Sequence, residues 1–240
     1  MNSDQKRRAE QFTSLFEYDT IELQYDNVED IHDGRGITSG WAGFTTRTGD
    51  ALEVVELYTQ QKPDNGLAGF RRELKRLADA NSGDTSNLQG YIKAWKEAAR
   101  DLVFRSVQHQ IVDKDYYLPS VKHSDKAGLK TALAQAVLYD SIIQHGEGND
   151  CDGLPALLHR AQEEAGGTPR TGVVDEKVWL KIFLKVRRAD LKYAYNEDTR
   201  KVWAESVDRV DAFSKIAEEE NYNLNGPIEV DTGKHKATIR

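Results

Sequence analysis

Apolar residues recur at helical spacing through most of this chain. Over 4–16, Ala9, Phe12, Leu15 and Phe16 share one face, which predicts a helix packed inward on that side. The period breaks over 22–46. There Leu23, Tyr25, Val28 and Ile31 are interrupted by Gly34, Gly36, Gly40 and Gly43, the chemistry of short strands and turns, so a small antiparallel sheet is expected. Thr48-Gly49-Asp50 starts a helix carrying Leu52, Val55 and Tyr58, and a third helix spans about 67–80 with Phe70, Leu74 and Leu77 inward. The polar stretch 81–87 (NSGDTSN) reads as a loop and as a boundary between lobes.

Beyond it the period predicts one long helix over 88–112, through Tyr91, Ile92, Trp95, Leu102 and Val103. A second, over 126–145, differs in kind. Its core LKTALAQAVLYDSII is apolar nearly all round, which marks a helix buried mid-protein, and Asp140 within it demands a cationic partner. Further helices are expected over 153–165 (stopped by Gly166-Gly167), 175–195 and 198–219, with an extended tail from Asn221 over the surface. The expected class is therefore mainly α (α+β).

Composition narrows the function classes. A length of 240 residues allows one large domain or two lobes, and no run of about 18 apolar residues exists to span a membrane. The net charge of −7 argues against a nucleic-acid partner, whose binding needs clustered Lys and Arg, and suits a cationic substrate or simply a solvated acidic surface. The single cysteine, Cys151, excludes an internal disulfide and a cysteine-rich metal site. No HExxH or paired-His spacing occurs among the six histidines, so neither a metal nor any other cofactor is expected. The start MNSDQKRRAEQF lacks an apolar signal core and reads either as a mature chain behind an added Met or as a cytosolic start.

Candidate chemistry concentrates near the N-terminus. Glu17 stands at the end of the first expected helix, and Asp33 opens the glycine-rich turn Asp33-Gly34-Arg35-Gly36. Two carboxylates on separate elements are what hydrolysis of a sugar–sugar bond requires: one protonated to release the leaving oxygen, the other ionised to activate water or attack carbon. In isolation each has a plainer reading, a solvated helix-end acid and a turn-former before glycine.

Their surroundings decide between these. The block Q-Y-x-x-V-E-D-I-x-D-G-R-G-x-T (24–38), followed by G-F-x-x-x-T-G-D (43–50), resembles the chitosanases of glycoside hydrolase family 46. The likeness continues in WKEAARDLVF (95–104), Asp115-Tyr116-Tyr117, LYDSIIQHGEGND (138–150) and FLKVRR (183–188), in the family's order over roughly 8–220. The resemblance implies a lysozyme-like fold: two mostly helical lobes flanking a substrate cleft, a long helix joining them, and the small sheet in one wall. The lobes are expected at 1–34 with 88–240 (major) and 35–87 (minor), forming a single catalytic unit.

The resemblance also implies inverting endo-hydrolysis of β-1,4 links between glucosamine units of chitosan by a secreted enzyme, expected to be a monomer. Glu17 becomes the general acid, Asp33 the general base, and Thr38 a holder of the attacking water. Arg35 touches substrate or fixes Asp33. Asp50 is the principal carboxylate for substrate amines, with helix capping as its other reading. His145 and Gly146 match a cleft-edge segment that binds substrate, Tyr116 is a candidate for a cleft wall with plain packing as its other reading, and Glu147, standing where proline is commoner, adds an amine-binding acid. Asp140 matches an acid paired with arginines, here Arg187 and Arg200, a network that positions the catalytic carboxylates. Two other readings stay open: a muramidase or lysin that cuts peptidoglycan, and a catalytically inactive protein that binds amino-sugar polymers. The negative charge and Asp50 speak against the first, the retained carboxylates against the second.

Overall fold

A computed structural model describes residues 1–240 apart from the side chain of Asp198, so the expected helix start at that residue lies partly outside what is described. Among the described residues eleven α-helices and five short strands form two units, Met1–Glu22 with Tyr116–Arg240, and Leu23–Asp115.

The first unit is built around α7 (Ala132–His145), which packs against α1 (Ser3–Tyr18), α6 (Leu118–Ala127), α8 (Leu154–Ala165) and α11 (Val207–Glu218). Its burial on nearly every side, Asp140 included, is what the all-round apolar pattern predicts. The helix begins later than expected: Gly128 ends α6 in the left-handed region (φ 80°), and Thr131 caps α7 by accepting from Ala134 N. α9 (Glu176–Lys192) is capped by Asp175 and packs on α8 and α11. Its Glu176 carboxylate accepts from the Lys130 and Thr131 amides at 2.8 Å each, tying the starts of α7 and α9 together. The helix expected over 198–219 is two, α10 (Glu197–Glu205) and α11, separated at Ser206. The tail is not merely extended. Ile228 and Val230 alternate with polar residues and pair, as β4 (Ile228–Asp231), with β5 (Lys236–Ile239) in an antiparallel hairpin that lies on α1.

The second unit carries the expected small sheet, β1 (Val28–Asp30), β2 (Ile37–Ser39) and β3 (Phe44–Thr45), antiparallel throughout, with Glu29 opposite Thr38 and Thr38 opposite Thr45. Four helices follow: α2 (Asp50–Gln61), α3 (Arg71–Asp79), α4 (Tyr91–Ala98) and α5 (Leu102–Val112). The last two replace the single helix expected over 88–112, because the Asp101 side chain accepts from Val103 N and starts a new helix there. Trp95 and Phe104 meet edge-on across that break with ring centroids 4.9 Å apart, in a core shared with Tyr91, Phe44 and Val54.

The division differs from the one expected at 35–87. The loop 81–87 lies inside the second unit, held back on the sheet by Thr85 Oγ1 donating to Asp30 at 3.1 Å, while α4 packs on β1 and α5 on α2. No helix among the described residues is long and apolar enough to cross a membrane.

Candidate active site

The candidate residues fall into two groups, one in each unit. In the first, Glu17 sits in the last turn of α1 with its side chain 39% exposed, and Arg209 Nη1 donates to its Oε1 at 2.6 Å. Arg209 is buried. Its Nε reaches both oxygens of Asp140 at 2.8 Å, and Arg187 Nη2 donates to Asp140 Oδ2 at 2.8 Å. Thr13 Oγ1, on the inner face of α1, completes the set at 3.0 Å from Asp140 Oδ1. Burial alone would raise the Asp140 carboxyl, but the two guanidiniums outweigh it and hold the group below its usual range. On Arg209 the balance runs the same way: burial works against its charge, and Asp140 and Glu17 overcome it. Two acids and two bases make a charge-balanced cluster reaching from the protein interior to the half-exposed Glu17.

Arg200, expected as the second partner of Asp140, takes no part. It is exposed near the start of α10, where its guanidinium turns back to the carbonyls of Ala194 (2.7 Å) and Tyr195 (3.3 Å). Arg209 takes the place because it lies on the inward face of α11, four residues before Phe213 and seven before Ile216.

His145 also departs from expectation. Its side chain is fully buried, so the imidazole faces the interior rather than solvent. Nδ1 lies 2.9 Å from the Asp152 carbonyl, and Nε2 accepts from Arg187 Nε at 3.3 Å. Burial, reinforced by Arg187, pushes the imidazole down to about 3, so the ring is neutral. Gly146 follows as the cap of α7 (φ 72°), and Glu147, exposed, pairs with His123 at 2.6 Å. Tyr116 is half-buried in the π-helical turn Asp113–Tyr117, the point where the first unit resumes.

In the second unit the Asp33 turn is local and exposed. Asp33 Oδ1 accepts from the Arg35 amide at 2.9 Å, and Arg35 Nε donates to Oδ2 at 2.6 Å. The Arg35 amide first, and its guanidinium second, hold the Asp33 carboxyl below its ordinary value, which keeps it ionised at neutral pH. Behind the turn the backbone is tightly placed. A Cβ on Gly36 (φ 79°) would stand 2.2 Å from Thr46 Oγ1, and one on Gly83 would stand 2.2 Å from the Gly34 carbonyl. Arg47 pins the same segment, donating to the Gly34 carbonyl at 3.2 Å and to Asn81 at 2.9 Å.

Thr38 stands on β2, and its Oγ1 is buried with no hydrogen-bond partner among the described residues. Asp50 opens α2, and Oδ1 accepts from Thr45 N (2.8 Å), Thr48 Oγ1 (2.7 Å) and Ala51 N (3.0 Å), so its capping role is realised. Burial pushes this carboxyl up despite those donors. All three bonds fall on Oδ1, and Oδ2 accepts no hydrogen bond among the described residues.

Two acids on separate elements, an exposed turn and a helix end, fit the two-carboxylate requirement of glycoside hydrolysis, and the sequence profile "Glycosyl hydrolase family 46" matches residues 11–228. The chain belongs to glycosyl hydrolase family 46. A chitosanase of Bacillus subtilis (strain 168) is 56% identical over 235 residues, 98% of this chain and 84% of that one. The crystal structure of an alanine mutant of the chitosanase from Bacillus subtilis MY002, complexed with 6 GlcN, superposes with a TM-score of 0.88 at 55% identity, covering 100% of both chains. The complex of a Gynuella sunshinyii family 46 chitosanase with chitotetraose reaches 0.87 at 41% identity, over 100% of this chain and 99% of the other. This family 46 chain is thus a glycoside hydrolase with the mainly helical fold of those structures.

Three residues of the candidate site escaped sequence reasoning. Arg209 had a readable signal, a charge on the inner stripe of an amphipathic helix. Thr13 had a weaker one, a hydroxyl on the inner face of α1. Arg47 had none, because its partners Gly34 and Asn81 are loop backbone and a loop side chain.

Proposed function

We propose that this hydrolase is an endo-chitosanase that cleaves β-1,4 links between glucosamine units with inversion, Glu17 donating the proton and Asp33 activating water. The observation that carries the substrate is the likeness, at 55% identity over the whole chain, to a chitosanase held with a glucosamine hexamer. The local chemistry supports the roles. Asp33 is kept ionised by Arg35, as a base must be, and takes a proton from water as the oxygen attacks the anomeric carbon. Glu17 gives its proton to the departing glycosidic oxygen. Because Arg209 occupies Oε1, the proton is carried on Oε2. Thr38 Oγ1, with its hydrogen-bonding capacity unspent, steadies the water.

The substrate carries ammonium groups, which fits the unoccupied Oδ2 of Asp50 and the exposed Glu147. Gly146 and Tyr116 remain substrate-contact candidates, whereas His145 acts from beneath the surface. Secretion belongs to the same proposal and is checked by comparing activity in culture medium with that in cells. A lysin acting on peptidoglycan fits less well, since its anionic substrate would meet a chain of net charge −7.

The test is reducing-sugar release from chitosan with proton NMR of the first products. Glu17→Gln and Asp33→Asn should each abolish most turnover, and the nascent reducing end should be the α-anomer. An initial β-anomer would exclude inversion, and clearing of bacterial walls without chitosan cleavage would favour the lysin.

A further inference from the structure

Asp190 is a buried acid that the proposed chemistry does not use. It lies on α9 with a side chain 1% exposed. Arg160 of α8 pairs with Oδ1, while Oδ2 is buried, accepts no hydrogen bond among the described residues, and lies 3.7 Å from His145 Nδ1. A carboxylate oxygen buried without a partner is costly, so its retention calls for a cause.

The cause is visible in His145. Arg187 Nε is a donor only, so the ring nitrogen facing it, Nε2, must carry the lone pair. The hydrogen of the neutral ring is therefore on Nδ1, aimed at the Asp152 carbonyl. In the other tautomer two N–H groups would meet at 3.3 Å and push Arg187 off Asp140.

We propose that Asp190 is a positioning residue for Glu17. With the Asp152 carbonyl, its carboxylate holds His145 as the Nδ1–H tautomer, leaving Nε2 open to Arg187 and keeping Arg187, Asp140, Arg209 and Glu17 in line. The inference rests on reading Glu17 as the acid.

Burial pushes the Asp190 carboxyl up to about 6, against the pull of Arg160. Facing it are Arg160 from α8, His145 from α7, and Asp150 and Asp152 from the loop between them. The Asp152 carboxylate is already engaged by the Tyr195 and Asn196 amides at 2.9 and 2.8 Å. A surface cavity of about 330 Å³ is lined by Asp190 together with Arg160, Glu164, Lys185 and Tyr195, and Lys185 and Glu164 are paired with each other at 2.6 Å. As pH falls through about 6, Asp190 is neutralised and its pull on the Nδ1 hydrogen is lost.

Nitrogen-15 NMR of the ring nitrogens of His145 in the full chain tests this. The intact protein should show Nδ1 protonated and Nε2 bare at pH 7, with a shift near pH 6 that is not protonation of the ring itself. Asp190→Asn should mix the tautomers, erase that step, and lower kcat on chitosan roughly tenfold while KM stays within about twofold. Should Asp190→Asn fail to fold, Arg160→Gln serves. Removing the cation raises the Asp190 pKa, so the His145 step should move to higher pH. A tautomer and a step unchanged in both variants would overturn the proposal. A changed tautomer with unchanged kcat would overturn its link to Glu17. Persistent turnover in Glu17→Gln would instead sink the acid assignment and leave the nitrogen spectrum as described.

Discussion

The two candidate carboxylates are held in opposite ways. Glu17 depends on Arg209, 192 residues away in the chain, which itself depends on a buried acid and a second buried arginine. Asp33 depends on Arg35, two residues away and exposed. The proposed proton donor is thus anchored through the buried interior, while the proposed base, which starts ionised and takes a proton from water, is set by its own turn. Buried charge is expensive to leave unpaired, whereas surface pairs contribute little, so damage to the two should differ in size.

The sharpest way to break the comparison is Asp140→Ala. It strands two buried arginines and should cost about 3–5 kcal/mol, read as a loss of urea midpoint. The same acid gives a pH signature. Its folded pKa is depressed, so its stabilisation is present above the unfolded value of about 3.9 and is lost as pH falls below it. Stability of the intact protein should therefore decline on acidification below about pH 4 more steeply than that of Asp140→Asn.

Next in size is Gly83→Ala. The added methyl meets the Gly34 carbonyl, so the variant should lose about 1–3 kcal/mol and displace the Asp33 turn, with kcat falling more than binding of glucosamine oligomers. If turnover survived intact, activity would not depend on the placement of the Asp33 turn. Asp50→Ala removes three bonds at the start of α2 and should cost about 1 kcal/mol by thermal unfolding, with a larger rise in KM than fall in kcat. Arg200→Ala is the smallest. It should change stability by no more than about 0.5 kcal/mol. A loss comparable to that of Arg209→Ala would return Arg200 to the network.

How far each region could be read from residues follows from the same contrast. The Asp33 turn was legible because its partners are neighbours in sequence and glycine spacing announces the turn. The central helix with its buried acid was legible too, since an apolar stretch broken by one Asp leaves few alternatives. The identity of the second arginine was not. The resemblance places Arg200 there only across a gap in the spacing after Arg187, and the Ser206 break between α10 and α11 brings Arg209 inward instead. His145 misled for a related reason: a motif records that a residue stands beside a site, not whether its ring faces out or under. Helix breaks at Asp101, Gly128 and Ser206 were hidden because the apolar period runs on through them while capping decides locally.

The contact between Gly83 and the Gly34 carbonyl has a practical corollary for anyone building chimaeras from related enzymes. Segments 33–36 and 81–87 fit each other as key and keyhole, with Arg47 as the latch, though about fifty positions separate them. Importing either one alone would join surfaces that never matured together; exchanged as a set, they should travel between hosts without losing their shape.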